Sequence, residues 1–461
     1  MMSDLFSEFE AVSAKQWKQQ IQMDLKGADY NEALVWNSPE GIDVKPFYHA
    51  DDQKNPPTPI PGHPNSWNIT TAVFIDDERI ANHLLKDALD RGAEALHITA
   101  EDSFDKDTVF DGVSWNGQNV YFQLGFLSEA FIESLLVYFS KKDVSVWYQI
   151  DILGNLARTG NWFHFEEKDH SILNSLIKKQ KEERLLHIDM SLFQNAGATM
   201  VQQLAYAMAQ CNEYLNHLYQ NKILSNEEKV SFSYKVATGG NYFFEIAKIR
   251  ALRKLHGTLA SEYGATAECH IIAQSSLRNK TVYDYNVNML RTTTEAMSAV
   301  LGGANSVVAL RYDALYHKSN EFGERIARNQ LLILKEESYF EAVGNPADGT
   351  YYIESLTHQL AEKALELFKQ IEQGGGFLKQ LMAGQLQKKV KEAAAAEQVR
   401  FDAQEEILVG TNKYQHEQER MKSDLELYPF VKTKPRKTLI EPIIPKRLAE
   451  GIEKNRLENE L

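Results

Sequence analysis

The chain alternates short apolar runs with longer amphipathic stretches, most clearly between residues 286 and 340. Apolar residues at helical spacing precede Gly302 and Gly303, which predict a helix end because glycine readily adopts the left-handed conformation. The short, β-branched run 306–310 then predicts a buried parallel strand, and 322–340 predict a second amphipathic helix. The residues expected on the buried faces of the two helices are Leu290, Met297, Val300, Leu301, Ile326, Asn329, Ile333 and Phe340.

Strand-like runs of this kind recur along the chain. They cover residues 68–75, 95–100, 120–126, 144–152, 185–193, 230–237, 265–273 and 306–310. Helix-like stretches separate consecutive runs, and one more follows the last. Strands that alternate with helices in this way predict an α/β fold, an eight-stranded (β/α) TIM-type barrel, more naturally than an open sheet.

The barrel is expected to occupy residues 67–340. Residues 1–66 precede it as an amino-terminal arm, with an amphipathic helix over 13–27, a half-buried strand over 42–47 and a stiff proline-rich linker over 56–64. The arm is too small to bury a core alone. It is therefore expected to pack on its own barrel or on a partner.

Residues 341–461 are expected to form a helical carboxyl-terminal extension. A helix over 352–371 ends at three glycines, and a longer charged helix over 378–403 follows. Residues 407–414 are strand-like. The remaining charged tail has few apolar anchors, so we expect it to pack peripherally or fray.

Composition narrows the classes of function. A formal charge of -14 argues against nucleic acid and anionic membranes, which require a basic surface. The two cysteines, Cys211 and Cys269, have no metal-ligand spacing, and the chain shows neither a secretory signal nor an apolar run long enough for a membrane span. We therefore expect a cytoplasmic protein without disulfides.

In a (β/α) barrel, chemistry gathers where the strands end and the helices begin. The polar candidates at this mouth are Glu101, Asp102, Gln149, Asp151, Gln194, Asn195, Lys235, Gly239, Asn241, Gln274, Arg311 and Asp313. For Glu101 and Asp102 we favour helix capping over catalysis.

The glycine-rich turn over 237–241 has two interpretations. Its backbone N–H groups at a helix start suit a phosphate, whereas the alternative is a plain turn with Asn241 as helix cap. We favour the plain turn because no full phosphate-loop motif is present. No histidine pair has metal-ligand spacing; the nearest, His164 and His170, are six residues apart. Cys269 and His270 are adjacent on a predicted strand and point to opposite faces, so no metal site is expected.

Three segments resemble a known family. The strings LRTTTEAMSAVLGGANS, FGERIARNQLLILKEES and NPADGTYYIESLTHQLAEKA are similar to the end of the barrel in methylmalonyl-CoA mutases. The resemblance covers roughly residues 10–50 and 180–455, and the short chain resembles the small subunit of the two-chain bacterial mutases. It implies a heterodimer whose larger catalytic chain holds adenosylcobalamin and acyl-CoA, with the arm wrapped around that partner.

The departures from the family pattern are informative. The catalytic G-Y-H-M-Q-E-A-G-A is MSLFQNAGA here, so Leu192 stands at the catalytic histidine position. R-T-H-S-Q becomes HIIAQ over 270–274, which places His270 where an arginine would contact coenzyme A. S-L-H-T-N becomes SVVAL over 306–310, and Asn65-Ser66-Trp67 replaces a Y-T-R-G-like segment. These changes predict an apolar, packed barrel without the tunnel that a threaded acyl-CoA needs.

The resemblance therefore implies a non-catalytic subunit that stabilises a propionate-pathway mutase. The D-x-H-x-x-G pattern that carries the cobalt ligand in the family is absent, so this chain is not expected to hold cobalamin. The substitutions at the strand ends imply that it has no catalytic residue either. Two alternatives remain. One is a self-sufficient acyl-CoA enzyme that uses Lys235, Arg311 and Asp313, and the other is a regulatory scaffold of a related mutase.

Overall fold

The amino-terminal arm contains only short elements. The computed structural model describes residues 8–53, 58–179, 184–223, 230–264, 267–432 and 435–460. The arm contains helices α1 (Ala14–Asp24) and α2 (Tyr30–Leu34), and its two-residue strands β1 (Trp36–Asn37) and β2 (Asp43–Val44) pair antiparallel. The Ser13 side chain caps α1, and none of the residues of α1 is buried. The helix predicted over 13–27 is thus present, but it ends earlier.

The proline-rich segment contacts the barrel helices from Ile60 onward. Residues 56 and 57 lie outside the described residues. Ile60 is buried, and Arg253 donates a hydrogen bond of 2.6 Å from Nη1 to the carbonyl of Gly62. The expectation of a linker without core contacts is therefore wrong for Ile60.

The predicted closed barrel is confirmed. All eight of its strands pair in parallel, and the last strand closes on the first. The strands are β3 (Asn68–Ile75), β4 (Ala95–Ala100), β5 (Gln118–Leu124), β6 (Val144–Ile150), β7 (Arg184–Asp189), β8 (Val230–Thr238), β9 (Ala267–Ser275) and β10 (Ser306–Val308). Residues 265 and 266, where the seventh strand was predicted to begin, lie outside the described residues.

Helices follow the strands and cover the barrel. They are α3 (Glu78–Asp90), α4 (Lys106–Val109), α5 (Glu129–Phe139), α6 (Ile152–Thr159), α7 (Glu166–Lys179), α8 (Ser191–Asn195), α9 (Met200–Gln220), α10 (Tyr242–Glu262), α11 (Val287–Gly302) and α12 (Glu321–Leu332). An apolar core fills the space between strands and helices.

One strand is shorter than predicted. The run 185–193 was expected to be extended throughout, but β7 ends at Asp189 and α8 begins at Ser191. The carboxylate of Asp189 accepts a hydrogen bond of 3.1 Å from the backbone N–H of Ser191. This local bond offers the backbone an alternative to the strand ladder, and it turns the chain.

The two helices that first suggested the barrel differ from prediction in their buried faces. Gly303 ends α11 in the left-handed conformation, as expected. Leu290, however, is 68% exposed, and Asn329 is exposed as well. After α12, a π-helical turn at Ile333–Glu337 leaves Ile333 46% exposed and buries Leu334 instead. A π turn shifts the helical register, which apolar spacing in the sequence does not reveal.

The carboxyl-terminal extension consists of α13 (Tyr351–Gln373), α14 (Phe377–Met382), α15 (Gln385–Asp402) and α16 (Glu450–Glu458). The long helix predicted over 378–403 is interrupted at Gly384, whose φ is +72°. In place of strands over 407–414 there is a single bridge between Val409 and Lys413.

The end of the chain does not fray over the residues described. Arg447 and Glu453 are both buried and form an ion pair of 2.7 Å. Glu453 also accepts a hydrogen bond of 2.7 Å from the backbone N–H of Val282, beside the barrel. Buried ionic contacts therefore hold α16 in place together with apolar ones, because Ile452 and Leu457 pack against buried hydrophobic clusters.

Replacing Glu295 by Gln is expected to destabilise the protein by about 3–5 kcal/mol. Lys280 Nζ lies 2.8 Å from both carboxylate oxygens of Glu295, and both residues are buried. The variant leaves the ammonium without its counter-charge. Urea unfolding measures the loss.

The control for this measurement is Glu362→Gln. Glu362 forms an exposed ion pair with His358 on α13, and its loss is expected to change stability by less than about 0.5 kcal/mol. Equal stability of the two variants would contradict the assignment of a stabilising buried pair.

Candidate functional site

A hydrogen-bonded layer of side chains crosses the barrel axis. Tyr121 on β5 places its hydroxyl 2.8 Å from His270 Nε2 on β9 and 2.6 Å from Ser306 Oγ on β10. Trp147 on β6 stacks on the His270 ring at 4.0 Å between centroids. All four residues are buried. We call these four residues the cross-barrel layer; contacts between strands that are not neighbours show that they face the interior.

The expectation of an interior filled by Leu, Ile and Val is therefore wrong in composition. Ile271 and Val307 belong to the core beneath the helices, whereas their neighbours His270 and Ser306 face the interior. Ile272 and Val308 do join Tyr121 and Trp147 in the inner cluster. The interior is packed, but aromatic and polar groups fill much of it.

A polar ring lies two residues nearer the carboxyl ends of the strands. Lys235 Nζ donates a hydrogen bond of 3.0 Å to Gln123 Oε1, and Gln123 Nε2 donates one of 3.3 Å to Asp189. Arg158 approaches the same carboxylate at 3.7 Å. Burial lowers the pKa of Lys235, and the nearby Asp189 charge opposes this shift.

Two histidines, His187 and His97, and the amide of Gln149 lie against this ring. His187 Nδ1 is 2.8 Å from Ser233 Oγ, and burial lowers the pKa of His187 to about 3. Burial also lowers the pKa of His97 well below its usual value. Sequence reasoning selected Lys235 and Gln149 but missed His97 and His187, because an isolated histidine on a strand gives no pattern.

Asp151, another mouth candidate, has a structural function. It caps α6 by accepting a hydrogen bond of 2.8 Å from the Gly154 N–H. It also accepts hydrogen bonds of 2.8 Å from the Tyr214 hydroxyl and 2.6 Å from Gln210 Nε2. Burial raises its pKa to about 6 despite these bonds. Asp151 Oδ2 also accepts a hydrogen bond of 3.2 Å from the backbone N–H of Asp189, so this carboxylate connects α6, α9 and β7.

The glycine-rich turn is a plain turn occupied by a carboxylate. Glu245 Oε1 accepts a hydrogen bond of 2.9 Å from the Gly239 N–H, and Gln194 Nε2 approaches the same oxygen at 3.4 Å. Glu245 also pairs with Lys248 at 2.6 Å in full burial. Asn241 occupies the cap position of α10 but makes no side-chain cap bond. A negative group thus fills the position that a phosphate would need.

Two further candidates connect neighbouring elements. Asn195 Oδ1 accepts 3.1 Å from Ser276 Oγ and 2.9 Å from the Leu277 N–H, which ties α8 to the chain after β9. Gln274 lies on β9, where its carbonyl is 3.4 Å from Thr238 Oγ1.

Arg311 and Asp313 bind each other at 3.0 Å, apart from the Lys235 ring. Arg311 also pairs with Glu324 at 3.2 Å. Asp313 is buried and accepts 2.6 Å from Asn320 Nδ2, which positions the start of α12. These contacts join protein side chains to one another and hold the start of α12 in place.

The expected capping by Glu101 and Asp102 is wrong. Both residues are exposed, and Asp105 caps α4 instead by accepting a hydrogen bond of 3.2 Å from the Asp107 N–H.

Across the ranges described, no group of three or more His, Cys, Asp or Glu side chains is placed to hold a metal ion. No helix in those ranges is long and apolar enough to cross a membrane.

Similarity to known proteins identifies the family. A family model described as methylmalonyl-CoA mutase matches residues 102–443. The chain belongs to the methylmalonyl-CoA mutase family. It is 33% identical over 439 residues to the methylmalonyl-CoA mutase small subunit of Porphyromonas gingivalis, covering 89% of this chain and 71% of that protein.

Longer mutases are more distant. The methylmalonyl-CoA mutase of Rhizobium meliloti is 28% identical over 466 residues, which cover 88% of this chain and 64% of that one. The mitochondrial mutase of Homo sapiens is 27% identical over 457 residues, which cover 88% of this chain and 61% of that one. The chain therefore spans less than two thirds of these longer mutases.

Leu192 stands at the position where the resemblance expects a catalytic histidine of the mutase family. It lies in α8, is 4% exposed and packs in the core beneath the helices. A leucine side chain has no group that transfers a proton. Acid–base chemistry therefore has no donor at this position.

Replacing His187 by Asn is expected to reduce the loss of stability in acid. The folded protein keeps the ring neutral down to about pH 3, whereas the unfolded chain protonates a histidine below about pH 6.5. Between these values the unfolded state binds more protons, so stability falls as pH falls, by up to about 1.4 kcal/mol per pH unit.

Urea unfolding from about pH 7 down to about pH 4.5 measures the slope for wild type and variant. The amide of the variant can keep the contact with Ser233. His358→Asn, on the exposed face of α13, is the matched control and should leave the slope unchanged. Parallel slopes for wild type and His187→Asn would contradict the prediction.

Proposed function

We propose that this chain is the small, non-catalytic subunit of a cytoplasmic, adenosylcobalamin-dependent methylmalonyl-CoA mutase. The complex interconverts methylmalonyl-CoA and succinyl-CoA, and the larger partner subunit holds both cofactor and substrate. The observation that carries this proposal is the cross-barrel layer. An acyl-CoA threaded along the axis would collide with Tyr121, Trp147 and His270, which are already packed and hydrogen-bonded.

The placement of the remaining mouth candidates supports the same conclusion. The Gly239 N–H is bonded to Glu245, and Arg311 is paired with Asp313 and Glu324. An independent acyl-CoA enzyme would need these groups free for substrate. No observation favours that alternative or a regulatory scaffold.

The residues present do not fit a cobalamin site. Within the described part of the chain after β10, the one pairing of extended segments is the Val409–Lys413 bridge, so no sheet is available to carry the cofactor. Of the three histidines there, His317, His358 and His416, the His317 ring contacts Asp313 and Asp424, and the His358 ring contacts Glu362. No catalytic step is therefore assigned to this chain.

The proposed contribution of this subunit is an interface. Helix α1 is exposed along its length, and Trp17 is half-exposed while its ring packs edge-on against Phe47 at 6.5 Å. Met23 and Trp36 are also exposed on the arm. Exposed aromatic and apolar side chains on one small arm are typical of a surface that a partner covers.

Native mass spectrometry of the complex from its own cells tests the proposal. We expect one copy of this chain with one larger, corrinoid-carrying chain. Titration with methylmalonyl-CoA should load one acyl-CoA per pair, because the cross-barrel layer blocks the axis of this chain's barrel. Two acyl-CoA molecules per pair, or this chain without a corrinoid partner, would refute the assignment.

Trp17→Ala is expected to weaken association of the two subunits by about 10-fold or more, as the loss of a buried aromatic at an interface does. Gln19→Ala on the same exposed helix is the matched control and should leave the dissociation constant unchanged. Both variants keep the cap at Ser13, and circular dichroism checks their folding. Equal dissociation constants would exclude α1 from the interface.

A further inference from the structure

The interior of the barrel is open to solvent near the carboxyl ends of the strands. Ala72 and Phe74 on β3 are in register with His97 and Thr99 on β4. Residues in register lie on the same face of a sheet, so both side chains face inward with His97. Ala72 is nevertheless exposed and Phe74 is 53% exposed. A cup therefore extends from the mouth into the barrel.

A buried histidine nitrogen lies beneath this cup. His187 Nε2 is buried and has no hydrogen-bond partner among the described residues. His97 Nε2 and the Gln149 amide miss strict hydrogen-bond geometry, but the Gln149 side chain lies close enough to the His97 ring to interact with it. Buried polar groups in folded proteins are nearly always bonded, so the unpaired His187 nitrogen points to a bound polar molecule.

A cation stands at the same position. Lys235 is partly exposed, and its ammonium has three donors, of which Gln123 takes one. Asp189 and Arg158 interact electrostatically with it, and Lys235 and Asp189 also interact with His97. Two ammonium donors thus remain for a ligand that enters through the mouth.

The histidine offers the complementary group. The Ser233 hydroxyl donates a hydrogen bond of 3.3 Å to the Leu186 carbonyl. Because its proton is used there, Ser233 Oγ accepts the hydrogen bond from His187 Nδ1–H. In the neutral ring, Nε2 then carries a lone pair and accepts from a donor. A ligand that satisfies both sites carries an anionic oxygen and a hydroxyl.

We propose that the cup binds a small hydroxycarboxylate, with Lys235 Nζ holding the carboxylate and His187 Nε2 accepting from the hydroxyl. Phe74 supplies an apolar wall, and the cross-barrel layer limits the depth of the cup to a short free acid. Phosphate fits less well, because the Gly239 N–H before α10 is already bonded to Glu245.

Calorimetric titration of the full chain with lactate, propionate and inorganic phosphate tests this assignment. Lactate is expected to bind one to one in the millimolar range or tighter. Propionate lacks the hydroxyl and should bind about 10-fold more weakly, as the loss of one buried hydrogen bond predicts. Phosphate binding as tight as lactate binding would indicate a general anion site. The absence of detectable binding of lactate and propionate would indicate that there is no site. Either result overturns the proposal.

Variants assign the contacts. Lys235→Met should weaken lactate binding by about 10-fold or more, whereas Lys369→Met on the exposed face of α13 should leave it unchanged. His187→Asn should bring lactate and propionate to similar affinity, a change in preference that a purely structural role would not produce. Phe74→Trp narrows the mouth from an exposed position and tests the site even where Lys235→Met fails to fold. Lactate binding unaffected in all of these variants would place it elsewhere.

Discussion

The structure depends on how the barrel interior is filled. Eight strands leave space for one set of interlocking side chains, and here Tyr121, Trp147, His270 and Ser306 supply much of it from four different strands. Burying the tyrosine hydroxyl, the serine hydroxyl and the imidazole would be costly if these groups were unpaired. Because they satisfy one another, the layer both supports barrel closure and bars the axis to a long substrate.

Buried charge pairs play the corresponding part outside the barrel. Arg250–Glu354 joins α10 to α13 of the carboxyl-terminal extension, and Lys280–Glu295 joins the segment after β9 to α11. Lys248–Glu245 lies within α10 beside the glycine-rich turn, and Arg447–Glu453 lies within the extension. Such pairs lose stability steeply when one partner is removed, since the other charge is then buried alone. They explain how a charged tail packs tightly, and why several residues that resemble catalytic groups are already engaged.

The cup and the cross-barrel layer together separate two properties of the mouth. The layer excludes a threaded coenzyme A, whereas the ring around Lys235 stays accessible to water and to small solutes.

The sequence by itself determined the order of strands and helices, the barrel and the family. Apolar periodicity and turn residues report local structure, and long segments such as 290–306 and 345–364 carry family similarity directly. It also identified Leu192 as a position without acid–base chemistry. These properties depend on residue type and spacing, which the sequence states explicitly.

Only the tertiary structure decided which side chains meet. Tyr121 and His270 lie 149 positions apart, and Lys235 and Gln123 lie 112 apart, so no local pattern connects them. The same holds for the π turn that exposes Ile333, and for Arg311, whose apparent availability ends at Asp313 and Glu324. A closed barrel brings residues together by strand register and pleat, and these are set by long-range pairing rather than by neighbours in the chain.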